Sequence, residues 1–128
     1  MQHEQVHSLG RRFAHALADK DVPALESLLA DPIDFRALTP KRAWEADDRN
    51  AVLEIMLGTW FAPEDEIEAL LELNENDHVE DTAHVGYRFA LNTPSGPHTT
   101  EQQAYYRVAG EQISYLRVLC SGFRPAAG

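Results

Sequence analysis

The sequence predicts a single α+β domain in which three helices precede a mainly antiparallel sheet. Three observations support this fold class: apolar residues recur at helical spacing in the first half, strand-like runs fill the second half, and short turn signals separate those runs. Consecutive strands joined by such short turns run antiparallel, which excludes a doubly wound parallel sheet. With 128 residues and no internal repeat or linker, we expect one domain over residues 1–128.

Two helices are predicted before the first strand. The first spans residues 3–18, and its apolar face is formed by Val6, Leu9, Phe13, Ala16 and Leu17. The second starts at Asp21, whose carboxylate can cap the helix, and accepts Pro23 in its first turn. It must end before Pro32, because the residue before a proline is driven out of the helical region.

A strand and a third helix complete the first half. The alternation of apolar and polar residues over 33–38 predicts the strand. The third helix is capped by Asp47 or Asp48 and closed by Pro63. Its apolar face is formed by Val52, Ile55, Met56, Thr59 and Trp60.

The second half contains four strand-like runs, which span residues 67–73, 78–91, 99–108 and 113–123. Residues 92–97 include two prolines and a glycine, and they predict the turn between the second and third runs. Residues 109–112 predict a tight hairpin between the third and fourth. We therefore expect the four runs to form an antiparallel meander.

The composition limits the classes of partner. The net charge of −10, from 21 acidic and 11 basic residues, argues against nucleic-acid binding, which requires clustered cations. The sequence has no apolar run long enough to span a membrane and no signal-peptide pattern, so we expect a cytoplasmic protein without a membrane partner. The single cysteine, Cys120, excludes an internal disulfide and is expected to be a small buried apolar residue.

The order of the elements and several local segments resemble those of the nuclear-transport-factor-2-like superfamily. The segments that carry the resemblance are 13–17 (FAHAL), 21–31 (DVPALESLLAD) and 110–113 (GEQI), together with the strand around Phe35 and the long last strand. That superfamily includes ketosteroid isomerases, SnoaL-like polyketide cyclases and limonene-epoxide hydrolases. The resemblance implies a cone-like α+β barrel, in which three N-terminal helices pack on a strongly curved sheet and enclose a pocket. It also implies a homodimer formed through the sheet.

Strict pairing through the last hairpin defines a candidate pocket face. Pairing residue 109 with residue 112 sets three further pairs, which are Tyr106 with Tyr115, Ala104 with Arg117, and Gln102 with Leu119. The face that these residues share is the more apolar one, so we assign it to the pocket. The pocket candidates are Trp44, Trp60, Tyr87, Gln102, Tyr106, Arg117 and Ser121. A one-residue bulge would exchange the faces and bring His84, Glu101 and Tyr105 inward instead.

Two of these residues have structural alternatives. Arg117 could bind an anionic ligand oxygen, but a pair with Asp34, Glu45 or a backbone carbonyl is favoured, because an unpaired buried charge is costly. Likewise, Glu101 is more simply a cross-strand ion-pair partner of Arg88 on an outer or dimer-facing surface.

The sequence shows no clear catalytic centre. Ser121 stands near the position at which the resemblance implies an acidic catalytic base, and a serine alone is a poor base. Asp81 shares the inner parity but lies near the start of its strand. Two functions stay open. One is a SnoaL-like pocket protein that binds a small apolar or aromatic, oxygen-bearing metabolite, with or without converting it as an isomerase, lyase or hydrolase. The other is a non-catalytic ligand-binding, dimerisation or protein-interaction module.

One motif indicates a different chemistry. His3, Glu4 and His7 match the HExxH pattern, in which two histidines four residues apart share a helix face and bind zinc. No third ligand is evident, and no upstream strand could form a substrate cleft. We therefore expect a solvent-facing helical turn there, and neither a metal nor any other cofactor.

Overall fold

The computed structural model describes residues 2–76 and 78–126, without the side chains of residues 2–8. The helices are α1 (Gln2–Ala18), α2 (Val22–Leu28) and α3 (Arg49–Leu53), and α3 continues directly as a π-helical segment, Glu54–Trp60. The strands are β1 (Leu29–Thr39), β2 (Arg42–Ala46), β3 (Glu66–Asn74), β4 (Ala83–Thr93), β5 (Gly96–Ala109), β6 (Gln112–Cys120) and β7 (Arg124–Pro125). In the described part of the chain, no helix has the length and apolar character needed to cross a membrane.

Carboxylate caps begin the second and third helices. Asp21 Oδ1 accepts a hydrogen bond from the backbone N–H of Ala24 at 3.1 Å, and Pro occupies the first turn of α2. Of the two caps that the sequence allows for α3, the structure uses Asp48, which accepts from the backbone N–H of Ala51 at 2.8 Å. The π-helical segment ends where Phe61 N–H donates to the carbonyl oxygen of Met56 at 2.8 Å. These caps fix where each helix begins against the sheet.

The sheet is mixed and open. Its strand order is β2-β1-β6-β5-β4-β3, with β7 paired to β5. Neighbouring strands are antiparallel except for β1 and β6, which are parallel. The expectation of a barrel is therefore wrong in one respect, because β2 and β3 are edges and the sheet does not close on itself. The sequence analysis did not predict β2, whose five residues alternate too briefly to be recognised.

Side chains alternate between two faces of this sheet. We call the face that packs beneath the helices the inner face and the opposite one the outer face. Helix α1 packs on β4 and β3, and α3 packs on β1. The inner face carries the buried side chains Phe35, Ala37, Val85, Tyr87, Phe89, Gln102, Ala104, Tyr106, Leu116 and Val118. Most of the hydrophobic core thus lies between the helices and the inner face.

A bulge between β5 and β6 changes the predicted pairing. Ala109 faces Gln112 as expected, but the register shifts by one residue between Arg107 and Val108. Beyond the shift, the pairs are Tyr106 with Leu116, Ala104 with Val118, and Gln102 with Cys120. The predicted pairs with Tyr115, Arg117 and Leu119 are therefore wrong. The inner face of β5 is the predicted one, whereas the faces of β6 are exchanged beyond the bulge.

Helix α1 approaches β5 closely at Gly10. A Cβ atom at this position would lie 2.5 Å from the Oη of Tyr106, a distance that real Cβ atoms do not tolerate. At the other end of α1, Lys20 Nζ donates to the carbonyl oxygens of Ala62 at 2.7 Å and Asp65 at 2.5 Å. The absence of a side chain at Gly10 therefore lets α1 pack directly against Tyr106. The ammonium group of Lys20 ties the end of the helix to the loop before β3.

Candidate functional site

A buried hydrogen bond marks the candidate site on the inner face. Tyr87 Oη on β4 donates to Gln102 Oε1 on β5 at 2.6 Å, and the two residues are 1% and 0% exposed. Burial raises the pKa of the Tyr87 phenol well above its usual value, and the nearby Cys120 adds to this effect. The phenol therefore keeps its proton at neutral pH and acts as the donor in this bond.

The amide of Gln102 has one end without a partner. Because Tyr87 occupies Oε1, Nε2 is left on the side of the planar amide away from the phenol. Nε2 is buried and has no hydrogen-bond partner among the described residues. A buried polar group without a partner costs about 1–3 kcal/mol, and a ligand oxygen at this place would remove that cost.

A second unpartnered donor lies at the end of the π-helical segment. Trp60 is 8% exposed, and its Nε1 is buried without a hydrogen-bond partner in the described part of the chain. The indole packs against the rings of Phe35 and Trp44, with both centroid distances 6.0 Å. These contacts hold the Trp60 ring over β1 and β2, on the opposite side of the inner face from β4.

A row of small side chains crosses the inner face. Ala37, Val118, Ala104 and Val85 lie side by side on β1, β6, β5 and β4. The neighbouring row toward the bulge carries the larger side chains of Phe35, Leu116 and Tyr106. All four side chains are buried, so the middle of the inner face is apolar.

Cys120 also belongs to the inner face, which corrects the expectation from strict pairing. It lies directly opposite Gln102, and paired residues of antiparallel strands share a face. Its Sγ accepts from the backbone N–H of Gly122 at 3.4 Å and lies 3.6 Å from Thr100 Oγ1. Gly122 has a φ of +77°, and a Cβ there would lie 2.9 Å from Cγ of Pro40. The chain can turn back at this thiol only with glycine.

Three other predicted pocket residues bond to the chain itself. Tyr106 Oη sits against Gly10, and burial raises the pKa of Tyr106, with a further rise from the charge of Glu75 and an opposing hydrogen bond with the Gly10 backbone. Trp44 Nε1 donates to the hydroxyl oxygen of Thr39, on β1, at 2.9 Å. Ser121 Oγ accepts from the N–H of residue 101 and donates to the carbonyl oxygen of residue 122.

Arg117 does not line the inner face, because the bulge turns it outward. Its Nη1 lies 3.1 Å from Asp34 Oδ1 and donates to the Asp34 carbonyl oxygen, also at 3.1 Å. Its guanidinium lies 4.0 Å from the centroid of the Tyr115 ring. The arginine therefore makes the structural pair with Asp34 that the sequence analysis favours over a ligand contact.

The alternative set, His84, Glu101 and Tyr105, also lies on the outer face. Glu101 forms the expected cross-strand ion pair with Arg88 at 3.4 Å. Glu101 Oε2 accepts from Gln103 Nε2 at 2.8 Å, and Gln103 Oε1 lies 2.6 Å from His84 Nε2. The His84 ring packs on Tyr105 with 5.0 Å between the ring centroids. The two faces are therefore not swapped at β4 and β5.

Among the described residues no Asp or Glu is fully buried, but the Glu75 side chain is only 12% exposed, its Oε2 is buried, and its charge raises the pKa of Tyr106. The buried polar residues are Thr100 and Gln102 on the inner face and His84 on the outer face. Asp81 is exposed and pairs with Arg107 at 3.4 Å. Among the residues that the structure describes, no cluster of three or more metal-ligating side chains occurs. The side chains of His3, Glu4 and His7 lie outside the described residues.

The outer face carries an apolar cleft of about 480 Å³ where β2, β1, β6 and β5 run side by side. Three large apolar residues at this cleft are strongly exposed to solvent. The exposed fraction is 55% for Leu38, 40% for Tyr105 and 50% for Leu119. Such a group of exposed apolar side chains is typical of an interaction surface.

Structural comparison places this architecture among known proteins. A proposed isomerase from Bacillus subtilis matches with a TM-score of 0.76 and 10% identity over 92% of this chain and 87% of that chain. A proposed polyketide cyclase from Xanthomonas campestris pv. campestris matches with a TM-score of 0.72 and 14% identity, over 93% and 92%. An epoxide hydrolase from M. tuberculosis, similar to LEH, matches with a TM-score of 0.69 and 10% identity, over 94% and 86%.

By sequence, no family model matches the chain, and no curated protein matches it. The likeness is therefore one of fold, and it extends over most of the chain in each of the three structures. Other matching structures include a proposed SnoaL-like polyketide cyclase and a proposed ketosteroid isomerase. The chain has the nuclear-transport-factor-2-like fold.

Proposed function

We propose that the protein binds a neutral, largely apolar small molecule on the inner face and holds its oxygen atoms with Gln102 and Trp60. The observation that carries this proposal is the Nε2 of Gln102, which is buried, oriented by Tyr87 and without a partner among the described residues. Natural proteins rarely leave such a group unbonded, so an acceptor from outside the chain is the simplest explanation.

The chemistry of the site selects the ligand class. Both free groups, the Gln102 amide and the Trp60 indole, are donors, so the ligand must supply acceptors such as carbonyl, ether or hydroxyl oxygens. No buried side chain on the described inner face is a cation that could balance a carboxylate, and burying an unpaired charge is costly. A neutral ketone, ester or ether with an apolar body fits these conditions better than the anionic ligand that an inward Arg117 would have bound.

Binding without acid–base turnover is the form of the proposal that the described residues support. Isomerases and hydrolases of this fold class need a group that accepts a proton near neutral pH. The polar groups of the described inner face are the phenols of Tyr87 and Tyr106, the amide of Gln102, the hydroxyl of Thr100 and the thiol of Cys120. The structural relatives that are named as enzymes support a small-molecule site in this fold, and the Glu75 carboxylate near Tyr106 is paired with Arg11 at 3.7 Å.

A thermal-shift and calorimetry panel tests the proposal. Cyclic and terpenoid ketones should stabilise the protein, since a ligand at a hundred times its Kd adds about 2.7 kcal/mol to the free energy of unfolding. The substitution Gln102→Leu should weaken ketone binding roughly three- to tenfold, the value of one hydrogen bond. The hydrocarbon of the same shape should bind both proteins equally.

Gln103→Leu is the matched control, because it removes the neighbouring amide from the outer face. It should leave the ketone affinity unchanged. If no neutral ketone, ester or ether raises the melting temperature of the wild-type protein, or if Gln103→Leu weakens binding as much as Gln102→Leu, the proposal is wrong.

We also propose a homodimer formed through the outer face, as a second role of the same domain. The exposed side chains of Leu38, Tyr105 and Leu119 around the apolar cleft support this proposal. Leu119→Glu would place a charge in the middle of the contact. We expect sedimentation velocity to give a dimer for the wild-type protein and a monomer for this variant. A monomeric wild-type protein at micromolar concentration would exclude the dimer.

A further inference from the structure

The thiol of Cys120 lies beside the unpartnered amide of Gln102 on the inner face. The two residues are direct cross-strand partners, and side chains in such pairs leave the sheet with Cβ atoms about 4.5–5.5 Å apart. The thiol is also close enough to Tyr87 for its charge to affect that phenol. Cys120 is partly exposed, whereas Gln102 is fully buried. A ligand bound by the amide therefore comes within reach of the sulfur.

Two groups contact this sulfur. The backbone N–H of Gly122 donates to Sγ, so a hydrogen bond is available to stabilise the negative charge of a thiolate. The hydroxyl of Thr100 donates to the Gly122 carbonyl oxygen at 3.0 Å, which leaves a lone pair on Oγ1 facing Sγ at 3.6 Å. The thiol can therefore donate to Thr100, and a thiolate would keep the hydrogen bond from Gly122.

We propose that Cys120 is a nucleophile that forms a covalent adduct with an α,β-unsaturated carbonyl compound whose oxygen is held by Gln102. The inference rests on the proposed function, because the oxygen site is the same in both. It goes further by naming the electrophile and the residue that attacks it.

The reaction is an addition that needs no oxidant or further reactant. The sulfur forms a bond to the β-carbon, and the carbon–carbon π bond breaks. The electron pair moves through the conjugated system onto the carbonyl oxygen, where the Gln102 amide stabilises it. The thiol proton passes to water and returns to the α-carbon, so the saturated carbonyl product carries the sulfur as a thioether.

The separation of the two side chains favours a conjugated carbonyl over a simple ketone or aldehyde. In attack on a simple carbonyl, the reacting carbon is bonded directly to the oxygen that is held. In a conjugated carbonyl, three bonds separate the reacting carbon from that oxygen. The side chains of Cys120 and Gln102 project from neighbouring strands, so the nucleophile and the hydrogen-bond donor are separated from each other. A conjugated carbonyl has its reacting carbon and its oxygen separated in the same way.

Adduct formation with 2-cyclohexenone, followed by intact mass and peptide mapping, tests the proposal. We expect a single adduct at Cys120, formed at least about tenfold faster than the adduct of glutathione at the same pH, since one oriented hydrogen bond to the developing charge contributes that much. Cys120→Ser should form no adduct. Saturated cyclohexanone should slow the reaction by competing for the oxygen site.

Gln102→Leu should reduce the rate to that of glutathione, whereas Gln103→Leu should keep the wild-type rate. Methyl methanethiosulfonate, a thiol reagent without a carbonyl oxygen, should react equally with the wild-type protein and Gln102→Leu. Should Gln102→Leu fail to fold, Gln102→Asn shortens the same amide and is expected to slow only the enone. Equal slowing of both reagents would overturn the role of Gln102, because it would reflect access to the thiol.

The outcomes separate this inference from the proposed function. If cyclohexanone binds the wild-type protein and Cys120→Ser alike, while the enone reacts no faster than glutathione, the covalent step is wrong and the binding site stands. If cyclohexanone and the other neutral ligands do not bind and the enone shows no acceleration, both proposals are wrong.

Discussion

On β5, two consecutive glutamines point to opposite faces of the sheet and are bonded differently. On the outer face, Gln103 uses both ends of its amide, since Nε2 donates to Glu101 at 2.8 Å and Oε1 lies 2.6 Å from His84 Nε2. On the inner face, Gln102 uses only Oε1, for Tyr87. The outer-face glutamine therefore has hydrogen-bond partners at both ends of its amide, whereas the inner-face glutamine keeps an unpartnered N–H donor among the described residues.

The outer-face cations extend this contrast. Three of them are paired within the chain: Arg88 with Glu72 and Glu101, Arg107 with Asp81, and Arg117 with Asp34. The guanidiniums of Arg107 and Arg117 also lie 4.1 Å and 4.0 Å from the ring centroid of Tyr115. Charges that the chain itself neutralises need no ligand. On the inner face, by contrast, the buried Nε2 of Gln102 has no acceptor in the described part of the chain.

The largest expected effect on stability comes from replacing the inner-face leucine of β6 by alanine, compared with the same change at the outer-face leucine. Leu116 is 0% exposed on the inner face, and Leu119 is 50% exposed on the outer face. We expect Leu116→Ala to lower the free energy of unfolding by about 2–5 kcal/mol, because it leaves a cavity in the core. In the monomer, Leu119→Ala should change it by less than about 1 kcal/mol, because this side chain is half-exposed there. Urea unfolding at one protein concentration measures both.

This pair also tests the bulge. Under the strict pairing that the sequence first suggests, Leu119 would be buried and Leu116 exposed, and the two costs would be reversed. A larger loss for Leu119→Ala than for Leu116→Ala would therefore contradict the register between β5 and β6.

The pH dependence of stability probes the buried phenol of the inner face. Burial raises the pKa of Tyr87 in the folded protein above that in the unfolded chain. The folded state therefore holds a proton that the unfolded state loses, so this stabilisation is complete below about pH 10 and falls by about 1.4 kcal/mol per pH unit above it. In Tyr87→Phe this part of the slope should be absent. Unfolding in urea at several pH values above neutrality measures it.

Tyr106→Phe should likewise make the loss of stability with rising pH less steep, because burial also raises the pKa of Tyr106. If the wild-type protein and Tyr87→Phe lose stability equally steeply in alkali, the phenol is not held neutral by its surroundings. Its role as the fixed donor to Gln102 would then be wrong.

How far the sequence predicts this site depends on the strand. On β5, alternation alone places Gln102, Ala104 and Tyr106 on one face, and the structure has them there. On β6, alternation fails because the bulge leaves Ser114 without a partner. A signal was present, since the buried residues Ile113, Leu116 and Val118 are spaced by three and then two. A one-residue shift in register, predicted from that spacing, would have placed Cys120 on the inner face and Arg117 on the outer face.

Other features depend on contacts that no local pattern contains. The free Nε1 of Trp60 results from the way Phe35 and Trp44 hold its ring, and these residues come together only through tertiary packing. The short strand β2 is stabilised by pairing with β1 rather than by its own composition. Periodicity gives which residues are apolar, but the partners of buried polar groups follow from the completed fold.

The smallest expected effect is that of Arg117→Met on the outer face. The side chain of Arg117 is 29% exposed and that of Asp34 is 58% exposed, so water screens much of their attraction. We expect a loss of less than about 1 kcal/mol, reduced further by salt, and no change in the affinity for a neutral ketone. Asp34→Asn should behave alike. If Arg117→Met weakened ketone binding as Gln102→Leu does, the ligand would lie on the outer face, and the division of roles between the two glutamines of β5 would be wrong.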